Sequence, residues 1–355
     1  MLVGHASLES QIYNTQRRYN RHTIELDNDE IEIYGIEASP YSVKLRAFCR
    51  YRPIKYRWIS RMPQFHPQTS KLKPSIMPAI RYPDGHFETD STPIITALDR
   101  SAPAARSVFL KTPALNFLNL LIEDFADEWL VKSIFHYRFT YADDRAFGPR
   151  WVMDDAFPDI DSAELSEKTA MFLNRQTERM PIVGCTPDNK EIIEWTYHET
   201  LNILEPFVAL ERFLFGSAPS LADFGLFGVL KTLATDPTPM QIMRDEAPRL
   251  DNWIRRVDDL SGVDGTLSDD LDISPTLTRL ITVINETYLP YLRANAEAYA
   301  KNENTFSVTL KGHQYRQSTF KYQVKCLDAL QSAFDALSTT DRQIVTEQLK
   351  VNFSS

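Results

Sequence analysis

Ile31-Glu32-Ile33-Tyr34-Gly35-Ile36-Glu37-Ala38-Ser39-Pro40-Tyr41-Ser42-Val43-Lys44-Leu45-Arg46-Ala47-Phe48 is the stretch in which the chain changes its period. Ile31 and Ile33 alternate with polar neighbours up to Gly35, as in a short half-buried strand. After Ser39-Pro40, the apolar residues Val43, Leu45, Ala47 and Phe48 lie among Lys44 and Arg46, as in an amphipathic helix that stops before Pro53. Strand, turn, helix is the reading. Working outward, Tyr56 to Ile59 forms a second strand, and Pro63, Pro67 and Pro74 mark residues 60–75 as loop. Ala79-Ile80-Arg81-Tyr82 and His86-Phe87-Glu88 pair as a hairpin around Pro83-Asp84-Gly85. Thr92-Pro93 then opens a helix carrying Ile94, Ile95 and Leu98.

On the N-terminal side, residues 1–28 are polar and aperiodic and read as a surface arm. On the C-terminal side the character changes at Pro113. Leu115, Leu118, Ile122, Phe125, Trp129 and Ile134 recur at three- and four-residue spacing along one long helix. Residues 143–165 are acidic and contain Pro149 and Pro158, which predicts a loop. Helices are predicted again over 164–180, 189–214 and 220–235, with another beginning at Leu250. Beyond about residue 268 the pattern differs: a helix ending near Ala300, a hairpin from the alternation Phe306, Val308, Leu310, and a final helix with Val324, Leu327, Leu330, Phe334 and Leu337.

Composition narrows the function classes. The 355 residues are 43% hydrophobic and 25% charged, which is ordinary for a globular chain. A net charge of −9 argues against nonspecific nucleic-acid binding, which needs clustered Lys and Arg. Cys49, Cys185 and Cys326 have neither disulfide-framework nor zinc-ligand spacing, so a reducing, cytoplasmic setting and no metal are expected. No apolar run reaches the ~20 residues of a membrane span, and the first residues do not read as a secretory signal.

Three short segments carry chemistry. Ser39-Pro40-Tyr41-Ser42 stands between a strand and a helix, where unpaired N–H groups and the helix dipole stabilise an anion such as a thiolate. A free thiol has a pKa of about 8.5, and each unit of depression takes about 1.4 kcal/mol, roughly what one charge-assisted hydrogen bond and a helix dipole supply. Taken alone, Ser39 reads equally as an N-cap. Met77-Pro78 precedes a strand; a cis bond there would offer the backbone of Met77 to a short extended peptide, whereas a trans bond would be an ordinary strand start. Glu88-Thr89-Asp90-Ser91-Thr92 is either a capping cluster or a holder for an α-amino-acid group.

Taken together and in order, these segments resemble the N-terminal half of the glutathione transferase family. Its pattern is an S-P-Y or C-P-F/Y turn, a cis-proline, and an acidic residue with serine before a helix. Phe215-Gly216-Ser217-Ala218-Pro219-Ser220-Leu221-Ala222-Asp223-Phe224 resembles the folding signature of that family's second half, with Ser220 and Asp223 as a capping box. Leu250 to Trp253 is similar to its following helix.

The resemblance implies an α+β chain: a thioredoxin-like domain over 29–103, an all-α bundle of the glutathione transferase C-terminal kind over 113–265, and a small α+β extension over 266–355. It implies glutathione as co-substrate, a small, electrophilic, hydrophobic second substrate, and a homodimer. Serine in place of cysteine before Pro40 implies a serine-type member, similar to bacterial omega or theta forms with a C-terminal extension. Ser39 would activate the sulfur, with Tyr34 the rival hydroxyl; Met77 and Pro78 would take the cysteinyl part, Asp90 and Ser91 the γ-glutamyl end, and Lys73 the glycyl carboxylate. Trp129, His136 and Arg138 lie on the helix expected to face the second substrate, though aromatics at helical spacing also suit a core. Two other expectations stay open: a binding or assembly protein of the same fold, and a glutathione-dependent lyase or dehalogenase of narrow specificity.

Overall fold

The computed structural model describes residues 29–210 and 212–353; the expected arm, 1–28, lies outside them. Strand β1 (Ile31–Gly35) is buried along its whole length and runs parallel to β2 (Tyr56–Ser60). β3 (Ala79–Arg81) pairs antiparallel with β1, and β4 (Phe87–Thr89) with β3, giving the order β2-β1-β3-β4. Helix α1 (Pro40–Tyr51) follows β1, with Pro40 in its first turn and Ser39 as N-cap; α2 (Ser91–Ser101) follows β4. This is the thioredoxin-like half.

The helical region begins with α3 (Pro113–Phe125), which passes through a π-helical stretch at Ala126–Leu130 into α4 (Val131–Thr140). One rod thus carries the long apolar period, and the π-helical turn shifts its register midway. α5 (Ala142–Ala156) occupies residues expected to be loop, whereas α6 (Ser162–Arg179) falls where a helix was expected over 164–180. The correction has a physical reason. Asp143 and Asp144 sit in the first turn of α5, where the helix dipole favours acids, and the apolar residues come only afterwards as Val152, Met153 and Ala156. Then come α7 (Lys190–Leu210), α8 (Leu221–Leu233), α9 (Pro237–Glu246) and α10 (Pro248–Val257). The extension contains α11 (Pro275–Val283), α12 (Leu289–Ala300), the hairpin β5 (Thr305–Leu310) and β6 (His313–Ser318), α13 (Lys321–Asp335) and α14 (Thr339–Gln343).

The extension is continuous with the main core. Trp129 packs against Tyr291 and Tyr315 at ring separations of 5.0 and 5.3 Å, and Phe117 against Phe334 and Phe353 at 5.5 and 5.2 Å. Between them the Lys132 ammonium lies over the Tyr291 ring and donates to Val183 O and Gln317 Oε1, both at 2.9 Å.

The capping box at α8 forms as the sequence indicates. Asp223 accepts from the backbone N–H of Ser220 and Leu214, both at 2.9 Å, and from Ser220 Oγ at 2.6 Å. α8 then lies directly against α1. A Cβ at Gly228 would stand 2.5 Å from Pro40 O, so only glycine permits that approach beside Ser39. Replacing Asp223 by alanine strands two buried N–H groups; an Asp223→Ala variant is expected to lose about 3 kcal/mol in urea unfolding, whereas Asp245→Ala, on the exposed face of α9, loses under about 1 kcal/mol.

Candidate functional site

The sheet register places the three chemical segments at one end. Tyr34 in β1, Ala79 in β3 and Thr89 in β4 form one cross-strand row. Past that row, β1 leads to Ser39, Pro78 enters β3, and β4 leads to Asp90. The Asp90 N–H donates to Pro78 O at 3.2 Å, joining two of the segments directly. Ser39 is buried, and its Oγ accepts from Ser42 N–H at 3.4 Å, which leaves its own proton free to be donated.

Tyr34 points elsewhere. Its hydroxyl lies 2.7 Å from Glu32 Oε2 and 2.6 Å from Gln68 Oε1, and its ring edge meets His66. Burial, with the Glu32 hydrogen bond and charge added, pushes its phenol far above the ordinary range. Cys49 is wholly buried and burial raises its thiol, so it is a core residue.

The Met77–Pro78 bond is cis, as is Lys73–Pro74. Met77 is half-buried against Ile36, Ala38 and the apolar side of α5, and Lys73 is exposed. Asp90 has φ 81°, in the left-handed region, and caps α2 by accepting from Thr92 N–H at 3.3 Å. Ser91 is 1% exposed, and its Oγ has no hydrogen-bond partner among the described residues. A buried hydroxyl in that condition is what a bound polar group would satisfy.

Behind these segments lies a charged cluster that sequence reading missed. The Lys44 ammonium, on α1 and fully buried, contacts Asp127 Oδ2 at 2.6 Å, Thr92 Oγ1 at 3.2 Å and the Glu123 carboxylate. Thr92 Oγ1 also donates to Glu123 at 2.6 Å, and Tyr41 Oη donates to Asp127 O at 2.9 Å. Burial opposes the Lys44 charge, but Asp127 and Glu123 outweigh it and hold the ammonium protonated. Asp124 and Glu128 stand on the same turns. Burial pushes Asp124 up to about 7 despite the hydrogen bond from Tyr288, and burial, helped by Asp124 and Asp127, raises Glu128 well above the usual carboxylate range.

Trp129, His136 and Arg138, expected to face a substrate, are not brought together. Trp129 donates from Nε1 to Thr196 Oγ1 at 3.2 Å inside the core. His136 Nε2 pairs with Glu194 Oε1 at 2.8 Å. Arg138 makes a buried pair with Asp236 at 2.9 Å and donates to Ala38 O at 3.3 Å, so it braces the turn before Ser39. Their helix is enclosed on nearly every side, a condition that periodicity along one segment does not reveal. The apolar side chains beside the site come instead from Trp151 and Met153 of α5, packed with Ile36, Ala38 and Met77.

Residues 33–106 match the family model for the glutathione S-transferase N-terminal domain, and residues 196–256 match the model for the glutathione S-transferase C-terminal domain. The thioredoxin-like half and the helical half are therefore those of a glutathione transferase fold. Similar solved structures include the beta-etherase LigF from Sphingobium sp. strain SYK-6, at 18% identity over 64% of this chain and 94% of that one, with a TM-score of 0.44. A GST-like protein from Pseudomonas syringae matches at 18% identity over 68% and 70% of the two chains, also with a TM-score of 0.44. A glutathione transferase family member from Pseudomonas fluorescens, crystallised with two glutathione bound, matches at 13% identity over 67% of this chain and 91% of that one, with a TM-score of 0.41. No curated protein matches the chain in sequence. Among the described residues no helix is long and apolar enough to cross a membrane.

The buried charges set a pH dependence of stability. Asp124 keeps its proton up to about pH 7 in the folded chain, whereas an unfolded aspartate releases it near 3.9, so stability declines as pH rises through that interval. Burial lowers Lys132 to about 8, whereas an unfolded lysine holds its proton to about 10.4, so stability recovers above pH 8. His66, lowered to about 4 by burial, opposes the acids only below its unfolded value of about 6.5. The urea midpoint is expected to be lowest between about pH 7 and 8, with Asp124→Asn flattening the acid limb and Lys132→Met the alkaline one.

Proposed function

We propose that the chain is a glutathione-dependent transferase of the serine type. Glutathione lies along the end of the sheet, its cysteinyl part on the Met77–Pro78 backbone and its γ-glutamyl end on Asp90 and Ser91. The Ser39 hydroxyl donates to the sulfur at the start of α1, where the helix dipole adds to the stabilisation of a thiolate. That sulfur attacks an electrophile, forming a carbon–sulfur bond and expelling a leaving group with the bonding pair. The apolar side chains of Trp151 and Met77 suit a hydrophobic substrate, and exposed Lys73 is the remaining candidate for the glycyl carboxylate. A cytoplasmic homodimer completes the reading. The observation that carries it is the meeting of Ser39, Pro78 and Asp90 at one end of the sheet, beside a buried Ser91 hydroxyl that has no partner among the described residues.

A second reading, a binding or assembly protein, draws on the Asp90 carboxylate being already engaged by Tyr322 of the extension at 2.8 Å. Calorimetry with glutathione and turnover of chlorodinitrobenzene separate the two. The enzyme reading expects Ser39→Ala to keep glutathione affinity within a few-fold while turnover falls about 100-fold, the scale seen when one donor to a developing anion is removed. Asp90→Ala should weaken glutathione binding about 10- to 100-fold, as for a lost charged hydrogen bond. Binding without turnover of any electrophile tried, dehalogenation and ether-cleavage substrates included, would leave the reading of a glutathione-binding protein; absence of binding would remove the enzyme reading and leave the assembly reading.

A further inference from the structure

Helix α13 starts at Lys321, beyond the residues 33–106 and 196–256 covered by the two family matches, and its first turn lies on the entrance of α2. Tyr322 Oη donates to Asp90 Oδ2 at 2.8 Å, and Gln323 Nε2 donates to Glu128 Oε2 at 2.9 Å. The segment is held in place. Asn295 on α12 accepts from Phe320 N–H at 2.8 Å and donates to Phe320 O at 3.0 Å, holding both backbone polar groups of the residue two before Tyr322. Tyr322 itself is 40% exposed, so its oxygen stands at the rim of the site and not inside the core.

An ionised carboxylate has about four acceptor positions. On Asp90 one is used by Thr92 N–H and one by Tyr322, which leaves room for a further donor. A phenol that donates its proton still presents lone pairs. Asp90 and Tyr322 together therefore offer adjacent acceptors to an ammonium group with three N–H bonds, and the free Ser91 hydroxyl lies one residue along.

We propose that Tyr322 is a positioning residue for the γ-glutamyl amine of glutathione, supplied by the extension to a site otherwise built from the thioredoxin-like half. This rests on the glutathione reading above and adds a specificity to it: the site selects ligands with a free amine at that end. The experiment is calorimetric titration of the full chain and of Tyr322→Phe with glutathione and with glutaryl-cysteinylglycine, which lacks only the amine. The wild-type chain is expected to prefer glutathione, and Tyr322→Phe to weaken glutathione about 5-fold while leaving the amine-free analogue unchanged and the melting temperature within about a degree. Equal or tighter glutathione binding by Tyr322→Phe, or equal loss for both ligands, overturns the proposal and leaves the glutathione site standing. A wild-type chain that binds neither ligand overturns the site and the proposal together.

Discussion

One buried ammonium organises the molecule. Lys44 projects from α1, the helix that begins at Ser39, and meets carboxylates from α3 and its π-helical continuation, with Thr92 of α2 completing the set. The two halves of the fold are therefore locked at the place where the candidate site lies. Desolvating such a charge is costly, and removing one member of a buried pair leaves the other uncompensated at about 3–5 kcal/mol. Any rotation of α1 that would move Ser39 has to break these contacts first. The close passage of α8 at Gly228, against Pro40 and the Cβ of Lys44, adds a steric stop to the same helix.

Burial raises the carboxyl groups on the inner side of the rod, and the neighbouring acids add to it. Asp124 and Glu128 are left to find hydrogen-bond partners, and both find them on the extension, in Tyr288 and Gln323. The charged cluster thus ties three parts of the chain. The extension covers the flank of α3, supplies aromatic partners to Trp129 and Phe117, and reaches the mouth of the site through Tyr322.

Much of the thioredoxin-like half was legible because its signals are local. The change of period around Gly35, the proline-rich loop and the hairpin turn each fix backbone geometry within a few residues. The Ser220–Asp223 box was legible for the same reason. Lys44 was not: in an amphipathic helix a lysine among arginines looks like a solvated face, and only the docking of α3 shows otherwise. Helix α5 was hidden because its acidic first turn and Pro149 resemble a loop, while the apolar face that binds the β1–α1 turn comes later. His136 and Arg138 were read toward a substrate because charge on an apolar helix attracts attention. Their partners, Glu194 and Asp236, lie on other elements that no local pattern connects to them. Tyr322 belongs to the same class, since its link to Asp90 joins segments at opposite ends of the chain.

The aromatic closure of α3 has a consequence for how the chain comes to be folded. Phe117 is sealed by Phe334 and Phe353, side chains that leave the ribosome long after the thioredoxin-like half and most of the helical bundle. Chains fold broadly in the order in which they are made. During synthesis, then, the outer face of α3 stays uncovered while the rest of the bundle assembles, a greasy stripe in search of cover until the end of the extension arrives. Chaperone engagement, or stalling that exposes this stripe for longer, would fall on this one helix rather than on the sheet that carries Ser39.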